Sequence, residues 1–425
     1  MESALEQAQR LDREDELQAF RDEFWIPQHD DGSEQLYLCG NSLGLQPKAV
    51  ESAMLEELAI WREYAVGGHF AGSVPWTKHV DAMREPLAEL TGAQPAEVVT
   101  MNTLTVNLHL MMVSFYRPAG RRRKILIEKQ AFPSDRYAVA SQIRFHGLDP
   151  ADCLVELEPE AGGRVIGAAQ IHDYLSRHGD EVALVLWPGV QYASGQVFDL
   201  PAIAAAAHEA GAAVGFDLAH SVGNVPLSIH DAGCDFAAWC TYKYLNAGPG
   251  AVGGCFVHER HFGRSDLPRF EGWWGNDLQT RFAMGPQFQP AAGASAWELS
   301  TPIILAMTPL RLSLDIFLAA GLKRLRRKSV RMTGYLADLI EAEVGTTLEV
   351  ITPRNPDRRG CQLSLRARGG RAQGRALFEY LQSRGVVGDW REPDVVRVAP
   401  VPLYNRFSDC YDFVRHVADW AAAAG

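Results

Sequence analysis

The sequence predicts an α/β fold, with a mainly parallel sheet covered on both faces by helices and a smaller C-terminal α+β domain. Three observations predict it. From about residue 98, short apolar runs alternate with helical patterns. Those runs are near-continuously apolar, as strands buried on both faces must be. Around residue 310 the texture changes to a long basic helical stretch followed by shorter elements. The length of 425 residues has room for two or three domains. We divide it into an N-terminal segment 1–47, a large domain 48–310 and a small domain 311–425.

The elements follow in order. Residues 4–24 read as one charged helix with apolar points at Leu5, Ala8, Leu11, Leu17, Phe20 and Phe24, and Pro27 blocks its continuation. Tyr37-Leu38-Cys39 reads as a short strand running into the Gly-punctuated turn Gly40–Gly44, and a helix is expected around 48–64. Strands are expected at Lys124–Glu128, Val182–Trp187, Ala213–Asp217, Phe236–Trp239 and Val252–Val257. Helices are expected at Val106–Tyr116, Ser134–Phe145, Ile171–Arg177 and Pro201–Ala210. Leu312–Val344 reads as one long helical stretch with the basic run Lys323–Lys328, a solvated face. A strand near Gln362–Arg366, a helix near Arg371–Ser383, a strand near Val395–Val398 and a terminal helix complete the chain.

Composition excludes several classes. With 47% hydrophobic and 22% charged residues, the chain is not disordered. A net charge of −11 argues against a general nucleic-acid partner, which needs a basic face. No apolar run approaches the roughly 20 residues of a membrane span, and the acidic N-terminus shows no signal core. The seven cysteines are scattered and contain no Cys-x-x-Cys pair. That pattern fits free thiols in the cytoplasm, with no metal site and no disulfide frame.

In an open parallel sheet, ligands collect at the carboxyl ends of the strands. Asp217 closes one strand, His220 follows it, and Lys243 lies just past the strand Phe236–Trp239 between Tyr242 and Tyr244. A lysine in so apolar a stretch is suited to form a Schiff base with an aldehyde, and a strand-end carboxylate suits a pyridinium nitrogen. On spacing alone the two are equally a structural ion pair. Phosphate needs free backbone N–H groups at a helix start. The turns Asn102-Thr103-Leu104-Thr105 and Phe132-Pro133-Ser134-Asp135 supply them, although plain helix capping explains either turn taken alone.

The ordered segments Leu38–Leu45 (LCGNSLGL), Met101–Leu110 (MNTLTVNLHL), Ala131–Asp135 (AFPSD), Gly215–Asn224 (GFDLAHSVGN), Trp239–Gly248 (WCTYKYLNAG), Gly272–Gly275 (GWWG), Arg359–Leu363 (RGCQL) and Arg397–Asn405 (RVAPVPLYN) resemble the kynureninase family. That family belongs to the pyridoxal 5'-phosphate (PLP)-dependent aminotransferase-like superfamily. The resemblance runs from about residue 37 to 410. It implies the aminotransferase-like PLP fold, with Lys243 holding the cofactor and Asp217 facing its pyridine nitrogen. It places His220, Phe132, Pro133, Ser134 and Asp135 around the ring, with Phe132 stacked on it. Leu104, Thr105 and Tyr242 match phosphate contacts, and Tyr242 also matches a proton-transfer group. Trp273 and Thr301 match residues that reach the phosphate from a second subunit, so the resemblance implies a homodimer with shared sites. Arg397 matches the arginine that pairs with the substrate α-carboxylate, and Asn41 and Ser42 match an active-site loop. His69, Asn276 and Ser300 match the aryl end of the substrate pocket. Trp274 is equally a core aromatic.

The implied reaction is hydrolytic cleavage of Cβ–Cγ in L-kynurenine or L-3-hydroxykynurenine. Its products are anthranilate or 3-hydroxyanthranilate, plus L-alanine, in tryptophan degradation or in supply for NAD synthesis. His69 resembles the branch that favours the 3-hydroxy substrate. Pro188 stands where some relatives carry a hydroxyl residue, which removes one cofactor hydrogen bond. Two alternatives remain. A cysteine desulfurase-like enzyme needs an exposed nucleophilic cysteine, and Cys361 borders an apolar strand pattern. An inactive PLP- or kynurenine-binding scaffold has no reason to keep Lys243, Asp217, Tyr242 and Arg397 together.

Overall fold

A computed structural model describes residues 2–159 and 165–424. Its centre is a seven-stranded sheet. In spatial order the strands are Val98–Thr100, Gly254–Val257, Phe236–Trp239, Ala213–Asp217, Val182–Pro188, Lys124–Glu128 and Leu154–Leu157. Only Gly254–Val257 runs antiparallel to its neighbours. The others are parallel, as the apolar runs predicted. Val182–Trp187 is buried at every position, which explains why its sequence shows no polar alternation.

The helices between these strands carry readable start signals. Asp199 caps Leu200–Glu209 by accepting from the Ala202 N–H at 3.1 Å, and Pro133 opens Pro133–Phe145. The large core gathers both faces of the sheet, including Trp187, Phe216, Phe236, Trp239 and Phe256.

A second, four-stranded antiparallel sheet has the order Asp389–Arg391, Val395–Val398, Leu363–Ala367, Leu348–Val350. Its own core includes Leu336, Ile340, Leu365, Phe378, Val396, Phe413 and Val417. The N-terminal segment bridges both cores. Ala8 and Leu38 join the smaller one, and Leu17, Phe24 and Leu45 join the larger. Leu36–Tyr37 pairs in parallel with Val386–Val387.

Two expected helices are broken in the structure. The expected helix over 4–24 is an α-helix only over Ala4–Arg13, and Gln18–Glu23 is a separate 3₁₀ turn. The Asp15 carboxylate accepts from the Leu17 N–H at 3.0 Å, and such a local bond competes with helix propagation. The expected stretch Leu312–Val344 is two helices, Ile304–Ala320 and Leu322–Val344, meeting at 79°. The break is Gly321, at φ +75° and ψ 124°. Met307, Leu310, Leu314 and Phe317 of the first helix are buried in the large core, so this helix runs past residue 310 while still packed there. No single helix among the described residues is long and apolar enough to cross a membrane.

Candidate active site

The carboxyl ends of the parallel strands open into a cavity of about 220 Å³. Strand ends supply Glu128, Pro188 and Asp217, and the segments beyond them supply Phe132, Tyr192, His220, Tyr242 and Lys243. Two helix N-termini complete the wall. Leu104–Phe115 contributes Leu104 and Thr105, and Pro133–Phe145 contributes Ser134 and Asp135. The Thr105 and Ser134 hydroxyls are 2.7 Å apart and tie the two helix starts together. The first helix starts after a tight turn. Asn102 sits at φ +46°, and its side chain donates to Asn107 at 3.0 Å. A Cβ on Gly253 would lie 3.3 Å from the Leu104 nitrogen, so only glycine leaves this approach unstrained.

Lys243 Nζ lies 2.9 Å from His220 Nε2 and 5.9 Å from the centre of the Phe132 ring. Burial, then the charges of Lys243, Arg397 and Arg391, push the His220 imidazole well below its ordinary pKa, so it is neutral. Asp217 accepts the Ala219 N–H at 2.7 Å. Asp135, fully buried beside Asp217, is held well above the usual carboxyl range by burial and then by Asp217. Asp135 is therefore the carboxyl that keeps a proton. Burial raises Glu128 to about 8, with a push from Asp217 and an opposing bond from Gln191. Burial also raises the Tyr242 phenol, which stays protonated at neutral pH.

These groups fit PLP. Two helix starts offer N–H groups to a phosphate. The Asp135–Asp217 pair suits a pyridine nitrogen, and a lysine amine stands over an aromatic ring. Two buried polar atoms of the same cavity, His220 Nδ1 and Asp135 Oδ1, have no hydrogen-bond partner. Buried orphans of this kind are the ordinary mark of a ligand-binding surface.

Of the sequence-predicted site residues, Leu104, Thr105, Phe132, Ser134, Asp135, Asp217, His220, Tyr242 and Lys243 line this cavity, with Pro133 between two of them. Arg397 and Ser42 are not on its wall: Arg397 meets it through Tyr192, and Ser42 meets Arg391 at 3.4 Å. Arg397 is 1% exposed and donates from Nη1 to the Tyr192 carbonyl at 2.6 Å. Its Nε donates to Asp389 Oδ1 at 2.5 Å, and its Nη2 donates to the other oxygen of the same carboxylate. Within one chain, His69, Trp273, Asn276, Ser300 and Thr301 are not on the cavity wall. His69 packs edge-on to Trp76 at 5.4 Å, and the Trp273 indole donates to the Arg281 carbonyl at 3.2 Å. Asn276 Oδ1 accepts the Gln289 N–H at 2.7 Å, and Ser300 and Thr301 are exposed.

Sequence reasoning missed Glu128, Tyr192, Asp389 and Arg391. Glu128 carried the signal that found Asp217, an ionisable group closing an apolar strand. The other three depend on pairings across the chain.

Comparison with known proteins agrees with this geometry. A family model described as "Kynureninase C-terminal domain" matches residues 325–417. Kynureninases of Xanthomonas oryzae pv. oryzae (strain PXO99A) and Xanthomonas campestris pv. campestris (strain B100) are each 59% identical over 416 residues, covering 98% of both chains. Among solved structures, a cystine C–S lyase variant with glycine covalently linked to its PLP cofactor superposes with a TM-score of 0.75. It is 18% identical and covers 91% of this chain and 96% of that one. A cysteine desulfurase from Thermococcus onnurineus NA1 superposes with a TM-score of 0.74, at 18% identity over 92% of this chain and 95% of that one. At that identity the two structures show a shared fold. By the near-full-length identity, the chain belongs to the kynureninase family of PLP-dependent hydrolases.

Proposed function

We propose that this site cleaves the Cβ–Cγ bond of L-kynurenine or L-3-hydroxykynurenine by hydrolysis, releasing anthranilate or 3-hydroxyanthranilate and L-alanine, in tryptophan degradation. The observation that carries the substrate is the 59% identity to kynureninases over 98% of both chains. PLP, when bound, supplies an electron sink for the bond changes at the substrate Cα. The chain's own residues do the rest. Lys243 would hold the cofactor and, as a free amine, would be the base for the Cα proton. Neutral His220, 2.9 Å away, orients that amine through the hydrogen bond between its Nε2 and the lysine Nζ. The Asp135–Asp217 pair holds the pyridine nitrogen in its protonated form. The Leu104–Thr105 and Ser134 turns take the phosphate. Tyr242, kept protonated by burial, delivers a proton at the carbonyl oxygen or at Cβ. Positioned acid–base groups of this kind contribute roughly 10²–10⁴-fold each. Arg397 takes the substrate α-carboxylate with paired N–H donors.

The same reading makes the enzyme a homodimer. His69, Trp273, Asn276, Ser300 and Thr301 are off the wall of the chain's own cavity, which supports placing them at the partner's site. The apolar groups Trp25, Trp61, Phe70, Phe282, Met284 and Ile303 are all more than half exposed in the single chain, as an uncovered subunit interface would be. All seven cysteines are buried and free, which suits a reducing compartment such as the cytoplasm. The desulfurase alternative lacks its nucleophile, since burial pushes the Cys361 thiol up to about 12. The test is incubation of the PLP-loaded protein with each kynurenine. Release of the matching aryl acid and alanine in equal amounts is expected. PLP-bound protein that releases neither overturns the assignment.

A further inference from the structure

Resting on the reading of Arg397 as the α-carboxylate anchor, we propose that Asp389 and Arg391 are positioning residues, which hold Arg397 so that only one edge of its guanidinium meets the substrate. Asp389 and Arg397 face each other directly across neighbouring antiparallel strands. Arg391 lies two residues from Asp389 and shares its face of the strand. The Asp389 carboxylate grips Arg397 side-on, taking the Nε–H and one Nη2–H. The Tyr192 carbonyl takes one Nη1–H. A guanidinium has five N–H groups, so one remains on each terminal nitrogen. The proposal requires these two to be the parallel end-on pair, the fork that matches a second carboxylate.

The charges agree with this count. Asp389 pairs with Arg397 and also accepts from Arg391 Nη2 at 3.0 Å. Two arginines against one aspartate leave one positive charge, the complement of one substrate carboxylate. Burial opposes ionisation of Asp389, but Arg397 and Arg391 hold it below the usual carboxylate range. Arg391 Nη2 also reaches Ser42 Oγ at 3.4 Å, which connects the clamp to the N-terminal segment. Arg391 Nε is buried without a partner. That leaves a donor in reserve on the arginine nearest the loop.

The experiment uses the PLP-loaded enzyme with two probes, L-alanine and ethylamine, which differ by the carboxylate. Binding is read from the visible absorption of the bound cofactor, and KM and kcat are measured alongside. Asp389→Asn is expected to weaken L-alanine about tenfold or more and to change ethylamine by less than about twofold. KM is expected to rise more than kcat falls. Asp389→Glu, which keeps the charge, is expected to recover part of the alanine affinity. Arg391→Gln, at a partly exposed position, is expected to give a smaller loss of the same kind and stands in if Asp389→Asn does not fold. Tighter alanine binding in Asp389→Asn would make Asp389 a competitor for the carboxylate site and overturn the proposal. Equal losses for both probes, or no change, would also overturn it. A wild-type enzyme that prefers alanine to ethylamine but cleaves neither kynurenine would refute the proposed reaction and leave this inference standing.

Discussion

In the proposed reaction Lys243 serves the cofactor and Arg397 the substrate, and their substitutions separate the two. Lys243→Ala is expected to abolish the yellow colour of the purified protein, because among the described residues no other amine stands over Phe132. A variant that still shows the wild-type absorption band contradicts the assignment. Arg397→Ala is expected to keep the colour and lose substrate affinity, by about 1.5–3 kcal/mol for a charge-assisted pair. Glu128 gives a pH test in the apoprotein. Its folded pKa of about 8 lies above the ordinary carboxyl value of 4.5. Between those values the unfolded chain gives up the proton while the folded chain keeps it, so stability falls as pH rises, by at most about 1.4 kcal/mol per unit. Above 8 the contribution levels off. Glu128→Gln is expected to flatten denaturation midpoints between pH 5 and 8, and an unchanged slope contradicts the burial argument. Asp217 and Lys243 were legible in the sequence because an ionisable group beyond an apolar strand is conspicuous. Asp389 was not, because its significance is a cross-strand register that a one-dimensional pattern does not carry.

At the scale of elements, the site depends on two helix starts held side by side. Thr105→Ala removes the hydroxyl that meets Ser134 and is expected to weaken PLP binding about tenfold, read by titrating apoenzyme with cofactor. Unaltered affinity would mean that the backbone N–H groups alone hold the phosphate. The Gly321 bend turns the chain between Ile304–Ala320 and Leu322–Val344. Gly321→Ala is expected to cost about 1–2 kcal/mol in chemical denaturation, from backbone strain alone. The nearest atom to the added Cβ is Arg324 Cδ at 3.8 Å, an ordinary contact, so an unchanged midpoint contradicts the strain argument. Long, fully buried strands such as Val182–Pro188 were legible because seven residues suffice to show their character. Val98–Thr100 and Asp389–Arg391 have three residues each, too few for any period to emerge. Gly321 was not legible as a break, because a single glycine inside a helical pattern is tolerated at a cost of about 1 kcal/mol.

At the scale of the whole molecule, the parallel sheet explains where the site is, and the proposed second subunit explains what one chain leaves outside it. A mass in solution near twice the 46.9 kDa chain is expected. Mixing Lys243→Ala with Trp273→Ala subunits is expected to restore one competent site per hybrid dimer, measured as recovered activity. No recovery, with hybrids formed, contradicts sharing between subunits. The cofactor cavity was legible in large part from strand ends and helix starts. Trp273, Thr301, His69, Asn276 and Ser300 were named only through family resemblance, because no local pattern marks a residue proposed to act across subunits. The most direct test gives the PLP-loaded protein L-kynurenine and, separately, L-3-hydroxykynurenine, and follows aryl-acid fluorescence together with alanine release. Both products are expected in equal amounts from at least one substrate, and the ratio of kcat/KM values reports the ring preference. A yellow, folded enzyme that yields neither product from either substrate would contradict the proposed reaction.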